Sequence, residues 1–275
     1  IYAIEAQPNF DPNNFSKVKQ TSTFSNQIVE NVFEFGSIIK PLVMAAGLDT
    51  GVVTPKTSYN DKGFVIIDKK QINNFDKKGR GSNTTMQDVL NQSLNTGMVL
   101  VAGKLGKDNM RDYMLSYGIG EKTGIDLPNE TSGLVSNLKS PRDLEYANAA
   151  FGQGIALTPI EAVRALSSLG NGGNLVVPHL VKEIKYEDGT KKEITYPTKR
   201  VKFSEKTSEE ITSMLVTVMD KSLKGGLAKF DHYSVAVKTG TAQVARSDGG
   251  GYYEDRHTHS FFGYFPAYDP KFLVF

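Results

Sequence analysis

The chain contains no cysteine in its 275 residues. That excludes disulfides, thiolate-held zinc and a cysteine nucleophile together. The absence fits an oxidising compartment without establishing one. Neither sign of charge dominates: 32 basic and 30 acidic side chains leave a formal net charge of +2. Nothing in that balance implies a nucleic-acid or membrane-surface partner. No apolar run is long enough to span a bilayer, and no segment reads as a secretion signal. There is no internal repeat and no low-complexity tract. Histidine is scarce, with four in the chain. His257-Thr258-His259 would set two imidazoles on one face of a strand, a metal-ligand pair, but no third ligand stands at a suggestive spacing. His179 and His232 read as ordinary surface or boundary residues.

What is present is a chain that is 39% hydrophobic. It can bury a large core as one big domain or two closely packed lobes. Residues 1–6 are an apolar run that predicts a strand, followed by a loop rich in turn residues at 8–13. A helix is expected from near Gly36 through Ala46, with Pro41 early enough that its missing N–H costs little. Residues 48–83 are polar and glycine-punctuated, with a candidate hairpin around Asn60-Asp61-Lys62-Gly63. Thr85 can cap a helix carrying Met86, Val89 and Leu90. Ser93-Leu94-Asn95 ends that helix, and 98–105 starts the next. Asp108 can cap a further helix, closed by Gly118 and Gly120. Residues 143–150 read as helical. Thr158-Pro159-Ile160-Glu161 is a capping box with proline at the first helical position. Thr207-Ser208-Glu209-Glu210 reads as a second capping box. Behind it Ile211, Met214, Leu215, Val218 and Met219 form one apolar stripe, read as core. The period then changes, and 233–238, 260–265 and 271–275 read as strands.

Three short pieces carry the chemistry, in order: Ser37-Ile38-Ile39-Lys40, Ser93-Leu94-Asn95 and Lys238-Thr239-Gly240-Thr241. They read S-x-x-K, S-x-N and K-T-G. Each alone is weak, since S-x-x-K occurs about once by chance in a chain of this length. Here it also occurs at Ser16 and Ser136. S-x-N recurs at Ser58-Tyr59-Asn60, and K-T-G recurs at Lys122-Thr123-Gly124. Local structure discriminates among them. Ser37 and Lys40 lie three apart at a helix start, which stacks both side chains on one face and offers free backbone N–H groups to an anion. Ser16 and Ser136 lie in polar, aperiodic stretches. Lys238 follows an apolar strand, so Lys238, Gly240 and Ala242 point to one face and Thr239 and Thr241 to the other. Gly240 would leave room for a substrate backbone. Lys122 lies in a glycine-rich loop.

The ordered set is the motif signature of class A β-lactamases and penicillin-binding proteins. In detail the chain resembles the transpeptidase domain of class B penicillin-binding proteins, the septal or elongation cell-wall synthases. The resemblance covers nearly the whole length. It rests on Ile4-Glu5-Ala6 leading to Phe10-Asp11-Pro12-Asn13, and on Gly36-Ser37 leading to Lys40-Pro41-Leu42. Thr123-Gly124-Ile125-Asp126-Leu127-Pro128 and Phe151-Gly152-Gln153-Gly154 with Leu157-Thr158-Pro159 add to it, as do the stretches 238–243 and 259–265. Phe35 stands where the family usually has proline, which is expected to alter the helix start and keep the chemistry. The family also has a C-terminal helix after the last strand. The chain reads as an excised domain without it, with a partly bare sheet face.

The resemblance implies an α+β fold: an antiparallel sheet formed by N- and C-terminal strands, flanked by helices, with an all-helical lobe. One domain over 1–275 would divide into a sheet lobe at about 1–40 and 200–275 and a helical lobe at about 41–199. It implies that Ser37 is acylated, with Lys40 as its base, lowered in pKa by burial and by Lys238. Ser93 would relay a proton, and Asn95 would hold Lys40 and the substrate. Lys238, Thr239, Gly240 and Thr241 would line the substrate carboxylate, with the N–H groups of Ser37 and Thr241 as the oxyanion hole. The Ser37 hydroxyl is expected within one water or less of Lys40 and Ser93. The substrate would be a peptidoglycan stem peptide ending in D-Ala-D-Ala, with β-lactams as mimics and no cofactor or metal. Expected partners are a membrane-embedded glycosyltransferase and divisome or elongasome proteins. The expected location is the extracytoplasmic face of the bacterial inner membrane, anchored by an N-terminal helix outside this chain. A hydrolytic β-lactamase is the first alternative, with Glu130 and Glu145 as the carboxylates to consider for deacylation. A β-lactam sensor or a scaffold is the second.

Overall fold

The computed structural model of the chain describes residues 1–246 and 248–275. The first elements are short: 3-10 turns at Pro12–Lys17 and Thr21–Phe24, then helix α1 (Gln27–Glu30). A 3-10 turn at Gly36–Ile39 runs directly into α2 (Lys40–Asp49). Strands β1 (Ser58–Asp61), β2 (Phe64–Ile67), β3 (Lys70–Asn73) and β4 (Gly81–Thr85) follow. Helices α3 (Met86–Asn91), α4 (Asn95–Leu105), α5 (Lys107–Ser116), α6 (Asp143–Ala149) and α7 (Pro159–Ser167) come next. Four short strands lead to the last helix: β5 (Asn174–Leu175), β6 (Glu183–Lys185), β7 (Lys191–Glu193) and β8 (Lys199–Arg200). That helix is α8 (Glu205–Lys221), and β9 (Ala236–Ala245), β10 (Tyr252–Phe265) and β11 (Phe272–Val274) complete the chain.

The core is organised around α2. Its residues from Lys40 to Leu48 are all buried, as expected of a helix that is apolar on every side. It packs against α4, α5 and α8. The stripe of α8 is buried at Ile211, Met214, Leu215, Val218 and Met219, each contributing on the order of 1.5–3 kcal/mol of transfer free energy. The other side of α8 meets β9, and Thr212 exchanges a hydrogen bond with the buried Tyr264 hydroxyl at 2.8 Å. The sheet is antiparallel in the order β11-β10-β9, which leaves β9 as a free edge. The fold is thus α+β, as the sequence implies.

Several local expectations are corrected. Residues 1–6 form no strand, so the sheet is built from C-terminal strands alone. The segment stands off from β11 across a cavity of about 1080 Å³, touching it where Tyr2 meets Phe272 at 5.7 Å. Phe261, Phe265, Phe272 and Val274 are exposed on the sheet. The hairpin does not turn at 60–63. β1 pairs with β4, and β2 pairs with β3 through Asp68-Lys69, both at positive φ. The reason is Asp61, whose buried carboxylate accepts from Gly63 N–H at 2.9 Å and from the Asn74 amide. The bond to Gly63 makes a local Asx turn and the bonds to Asn74 anchor it, so the bend there leads the chain away from β1 and no hairpin forms across it. Asp108 does not cap α5. Gly106 occupies that position, and Asp108 pairs with Arg111 at 2.9 Å. Thr207 does not cap α8 either. Its hydroxyl donates to Asp49 at 2.8 Å, and the helix begins earlier, with Ser204 Oγ accepting from Thr207 N–H. Thr85 and Thr158 do form capping boxes, with Asp88 and Glu161.

Glycines let two segments meet. Gly36 has φ +61° and donates its N–H to the Gly152 carbonyl at 3.2 Å. Gly152 has φ +81°, and a Cβ there would fall 2.1 Å from the Gly36 carbonyl oxygen. Gly152→Ala should therefore destabilise the fold by at least about 2 kcal/mol, from left-handed strain plus the clash. Gly103, in α4 with nothing within 4 Å of a built Cβ, should tolerate alanine or gain from it. Urea midpoints of the two variants test this. An unchanged midpoint for Gly152→Ala contradicts it.

Candidate active site

Ser37 is the second residue of the 3-10 turn at Gly36–Ile39, partly buried. The turn is pinned from three sides. Gly36 leaves no room for a side chain beside the Thr241 carbonyl. Ser260 Oγ donates to the Phe35 carbonyl at 2.9 Å. Phe35 itself is buried with its ring edge-on to Phe275 at 5.2 Å, so the residue that departs from the family packs into the core. Among the described residues the Ser37 N–H has no hydrogen-bond partner, as the start of a helical turn allows.

Lys40 follows one turn later and is 0% exposed. Its Nζ donates to the Ser93 carbonyl at 2.5 Å and to Asn95 Oδ1 at 2.8 Å, and lies 3.2 Å from Ser93 Oγ. Lys238, 2% exposed on β9, donates from Nζ to the same Ser93 Oγ at 3.0 Å and to the Thr239 carbonyl at 2.9 Å. Residues 37–40, 93–95 and 238–241 therefore converge. Ser93 is placed by an uncommon backbone, φ +55° for a non-glycine, in the tight link between α3 and α4. Asn95 opens α4, and its Nδ2 donates to the Asn73 carbonyl at 2.9 Å.

Among the described residues neither lysine has a carboxylate within ion-pair distance. Burial therefore acts without compensation. It pushes Lys40 well below the ordinary lysine value, helped by the charge of Lys238. Burial lowers Lys238 to about 8. Thr239 and Thr241 are exposed while Lys238, Gly240 and Ala242 are buried, the alternation expected of a regular strand. Gly240 has a different purpose from the one its sequence suggested. A side chain there would strike Ser260 Oγ and the Phe35 carbonyl, so the glycine makes room for the Ser37 turn. Among the described residues no direct hydrogen bond joins the Ser37 hydroxyl to Lys40 or Ser93; the Lys40 N–H groups are directed at Ser93 and Asn95.

The repeated motifs are separated by burial. Ser136 and Lys139 share a 3-10 turn much like that of Ser37, but both are exposed. Ser16 and Lys19 are also exposed. Lys122-Thr123-Gly124 is a loop held by Glu130, which accepts from Thr123 Oγ1 and from the N–H groups of Thr123 and Gly124. Glu130 is committed there, and Glu145 pairs with Arg142 at 3.2 Å. His257 and His259 do share a face, with ring centroids 6.2 Å apart, and His259 lies beside Thr241, Nδ1 to Oγ1 at 3.4 Å. Among the described residues no third metal-ligating side chain joins them.

Sequence reading missed the polar layer behind Asn95. Thr96 Oγ1 donates to the buried Asp61 at 2.9 Å, and Thr96 N–H donates to Asn74 Oδ1 at 3.2 Å. It also missed Glu34, just before the Ser37 turn. The Glu34 carboxylate accepts from the Tyr252 hydroxyl at 3.0 Å and from Gly154 N–H at 3.1 Å, and burial raises its pKa. Neither group has a sequence signal beyond the position of Thr96 next to Asn95.

The geometry agrees with comparisons to known proteins. A family model for the penicillin-binding protein transpeptidase domain matches residues 1–275. Stage V sporulation protein D of Bacillus subtilis is 35% identical over 279 residues, covering 100% of this chain and 42% of that protein. Peptidoglycan D,D-transpeptidase FtsI of Buchnera aphidicola is 28% identical over 276 residues, covering 100% of this chain and 46% of that protein. The chain thus spans less than half the length of these relatives. Penicillin-binding protein 3 of Mycobacterium tuberculosis in its apo form superposes with a TM-score of 0.84 at 27% identity, over 90% of this chain and 57% of that one. The same protein has been solved with ampicillin, at the same TM-score of 0.84, 27% identity and 90% of this chain, with 56% of that one. Matched along its full length and folded as those domains are, the chain belongs to the penicillin-binding protein transpeptidase domain family.

Proposed function

We propose that this domain is a serine D,D-transpeptidase that cross-links peptidoglycan stem peptides through an acyl-enzyme on Ser37, and that β-lactams trap that serine. The observation that carries the reading is the meeting of two buried, carboxylate-free lysines at one serine hydroxyl. Lys238 donates to Ser93 Oγ, and Ser93 Oγ lies 3.2 Å from Lys40 Nζ. With Lys40 neutral, its two N–H groups satisfy the Ser93 carbonyl and Asn95, and its lone pair can take a proton.

In this reading Lys40 removes the Ser37 proton as Oγ attacks the penultimate D-Ala carbonyl. The N–H groups of Ser37 and Thr241 hold the oxyanion. Collapse breaks the peptide bond, and Ser93 passes the proton from Lys40 to the departing D-Ala nitrogen. Lys238, Thr239 and Thr241 bind the terminal carboxylate. An amine of a second stem then attacks the ester, its proton returns through Lys40 to Ser37 Oγ, and the new amide leaves. The reading extends to the surroundings that the motif resemblance suggests: a peptidoglycan synthase at the extracytoplasmic face of the inner membrane, working beside a membrane-embedded glycosyltransferase and divisome or elongasome proteins. Within the domain, the sheet lobe (about 1–40 and 200–275) would carry the carboxylate site, and the helical lobe (about 41–199) would carry Ser93 and Asn95.

Fluorescent penicillin with peptide mapping tests the nucleophile. A stable adduct should form on Ser37, vanish in Ser37→Ala, and persist for many minutes once free label is removed. An adduct on Ser16 or Ser136 contradicts the assignment. Loss of label within seconds, with steady penicillin turnover, makes the protein a β-lactamase. Persistent label without D-Ala release from stem-peptide substrates makes it a sensor.

The lysines should separate kinetically. Lys40→Ala is expected to slow acylation by roughly 10²–10⁴-fold with little change in initial binding. Lys238→Ala should weaken initial binding of carboxylate-bearing ligands as well. The wild-type rate should rise on the acid side as Lys40 loses its proton and fall as pH passes about 8, where Lys238 loses the charge that holds the carboxylate. Stopped-flow acylation across ligand concentration and pH checks both. The reverse split between the lysines, or a rate still climbing above pH 9, contradicts the roles.

A further inference from the structure

Behind the S-x-N segment, on the side of α4 away from Lys40, lies a trough of about 460 Å³, within the size range of ordinary ligand sites. One wall is β2, through Val65 and Ile67, and the other is α4, through Val99 and Leu100. Tyr59 adds its ring. The Tyr59 hydroxyl is already committed, since it lies 2.9 Å from Thr96 Oγ1. The single proton of Thr96 goes on to Asp61 or Asn74, at 2.9 and 3.1 Å, so Tyr59 is the donor to Thr96. Two exposed lysines, Lys62 and Lys104, border the trough. Among the described residues neither has a carboxylate within ion-pair distance. An apolar slot with two uncompensated cations at its rim is complementary to a small amphipathic anion.

The trough is also wired to the reaction centre. From Tyr59 the hydrogen bonds run to Thr96, and the Thr96 N–H donates to Asn74 Oδ1 at 3.2 Å. The neighbouring Asn73 carbonyl accepts from Asn95 Nδ2 at 2.9 Å, and Asn95 Oδ1 accepts from Lys40 at 2.8 Å. Asn73 pairs with Phe64 of β2, so a ligand that shifts β2 against α4 would be felt at the Asn73–Asn95 hydrogen bond. We propose that this trough binds a small organic anion, a ring or short chain bearing one carboxylate, sulfonate or phosphate, and that its occupancy is transmitted to Asn95. The inference adds a second site to the reading above and uses that reading only for its consequence on acylation.

The test uses 2-naphthoate as the probe and 2-naphthamide as its uncharged counterpart. Two-dimensional NMR follows the backbone signals of Tyr59, Val99 and Leu100 and the side-chain amide of Asn95. Naphthoate should bind saturably, shift those signals together, and bind roughly five- to tenfold more tightly than the amide. The Lys62→Glu/Lys104→Glu variant should erase that preference while still binding the amide. Gly103→Phe, which grows from an unobstructed position into the trough, should abolish both, and its fluorescent-penicillin labelling should stay intact. Absence of binding, equal affinity for acid and amide, full binding to Gly103→Phe, or an unmoved Asn95 amide at saturation each overturns the proposal. Neither binding nor the Asn95 signal requires turnover, so failure of this site and failure of the transpeptidase reading are seen separately.

Discussion

Everything at this site depends on burying two amines with no carboxylate to neutralise them. A lysine ammonium taken out of water without a counter-ion is costly, and the protein's usual relief is to lose the proton. Lys40 and Lys238 also repel when both are charged, so the pair favours one neutral and one charged member. Lys40 carries the stronger push towards neutrality. In the proposed reading that division supplies a base and a carboxylate anchor from two side chains of the same type. It also has a thermodynamic signature. The folded value of Lys238, about 8, lies below its ordinary value. Between the two the unfolded chain holds more protons, and the cost of burying Lys238 shrinks as pH rises through that window.

The rest of the fold supplies the geometry this pair needs. α2 is apolar all round, so it must be central, and Lys40 near its start is carried inside with it. The Ser37 turn is clamped to β9 and to the 151–154 loop by contacts that only glycine permits at Gly36, Gly152 and Gly240. Each of these places backbone where a side chain would otherwise stand, so the position of Ser37 is set by main-chain packing, which is stiffer than a side-chain contact. Asn95 is held by the Asn73 carbonyl, beside a buried polar layer in which Asp61, Asn74 and Thr96 hydrogen-bond one another and Gly63, Lys78 and Tyr59 complete the set.

Much of this was legible in the residues because strong local signals and the global fold agree. The α2 run, the capping boxes at Thr85 and Thr158, the apolar stripe of α8 and the alternation along 238–242 all behave as their periods dictate. The failures have physical causes. Asn60-Asp61-Lys62-Gly63 carries turn chemistry, but Asp61 is drawn into a buried network formed with residues distant in sequence. The true turn, Asp68-Lys69, places a lysine at positive φ, which its identity does not signal. Residues 1–6 have strand composition but lie across a cavity from the β11 edge and form no ladder with it. The site motifs were ambiguous for a similar reason. Ser37 sits second in a 3-10 turn that runs on into α2, whereas Ser136 begins an isolated 3-10 turn, and Lys40 is buried where Lys139 is exposed. The helix start at Ser37 was legible from local pattern, but burial of Lys40 is decided by tertiary packing and has no local signal.

The central claim is that Lys40 is neutral in the folded domain at neutral pH while Lys238 is charged. A pH titration of lysine side-chain ¹³Cε and ¹⁵Nζ resonances, assigned through Lys40→Arg and Lys238→Arg variants, measures this directly. The account predicts a neutral amine at Lys40 at pH 7 and a transition for Lys238 near 8. Two fully protonated lysines at pH 7, both titrating near their ordinary value, would contradict it.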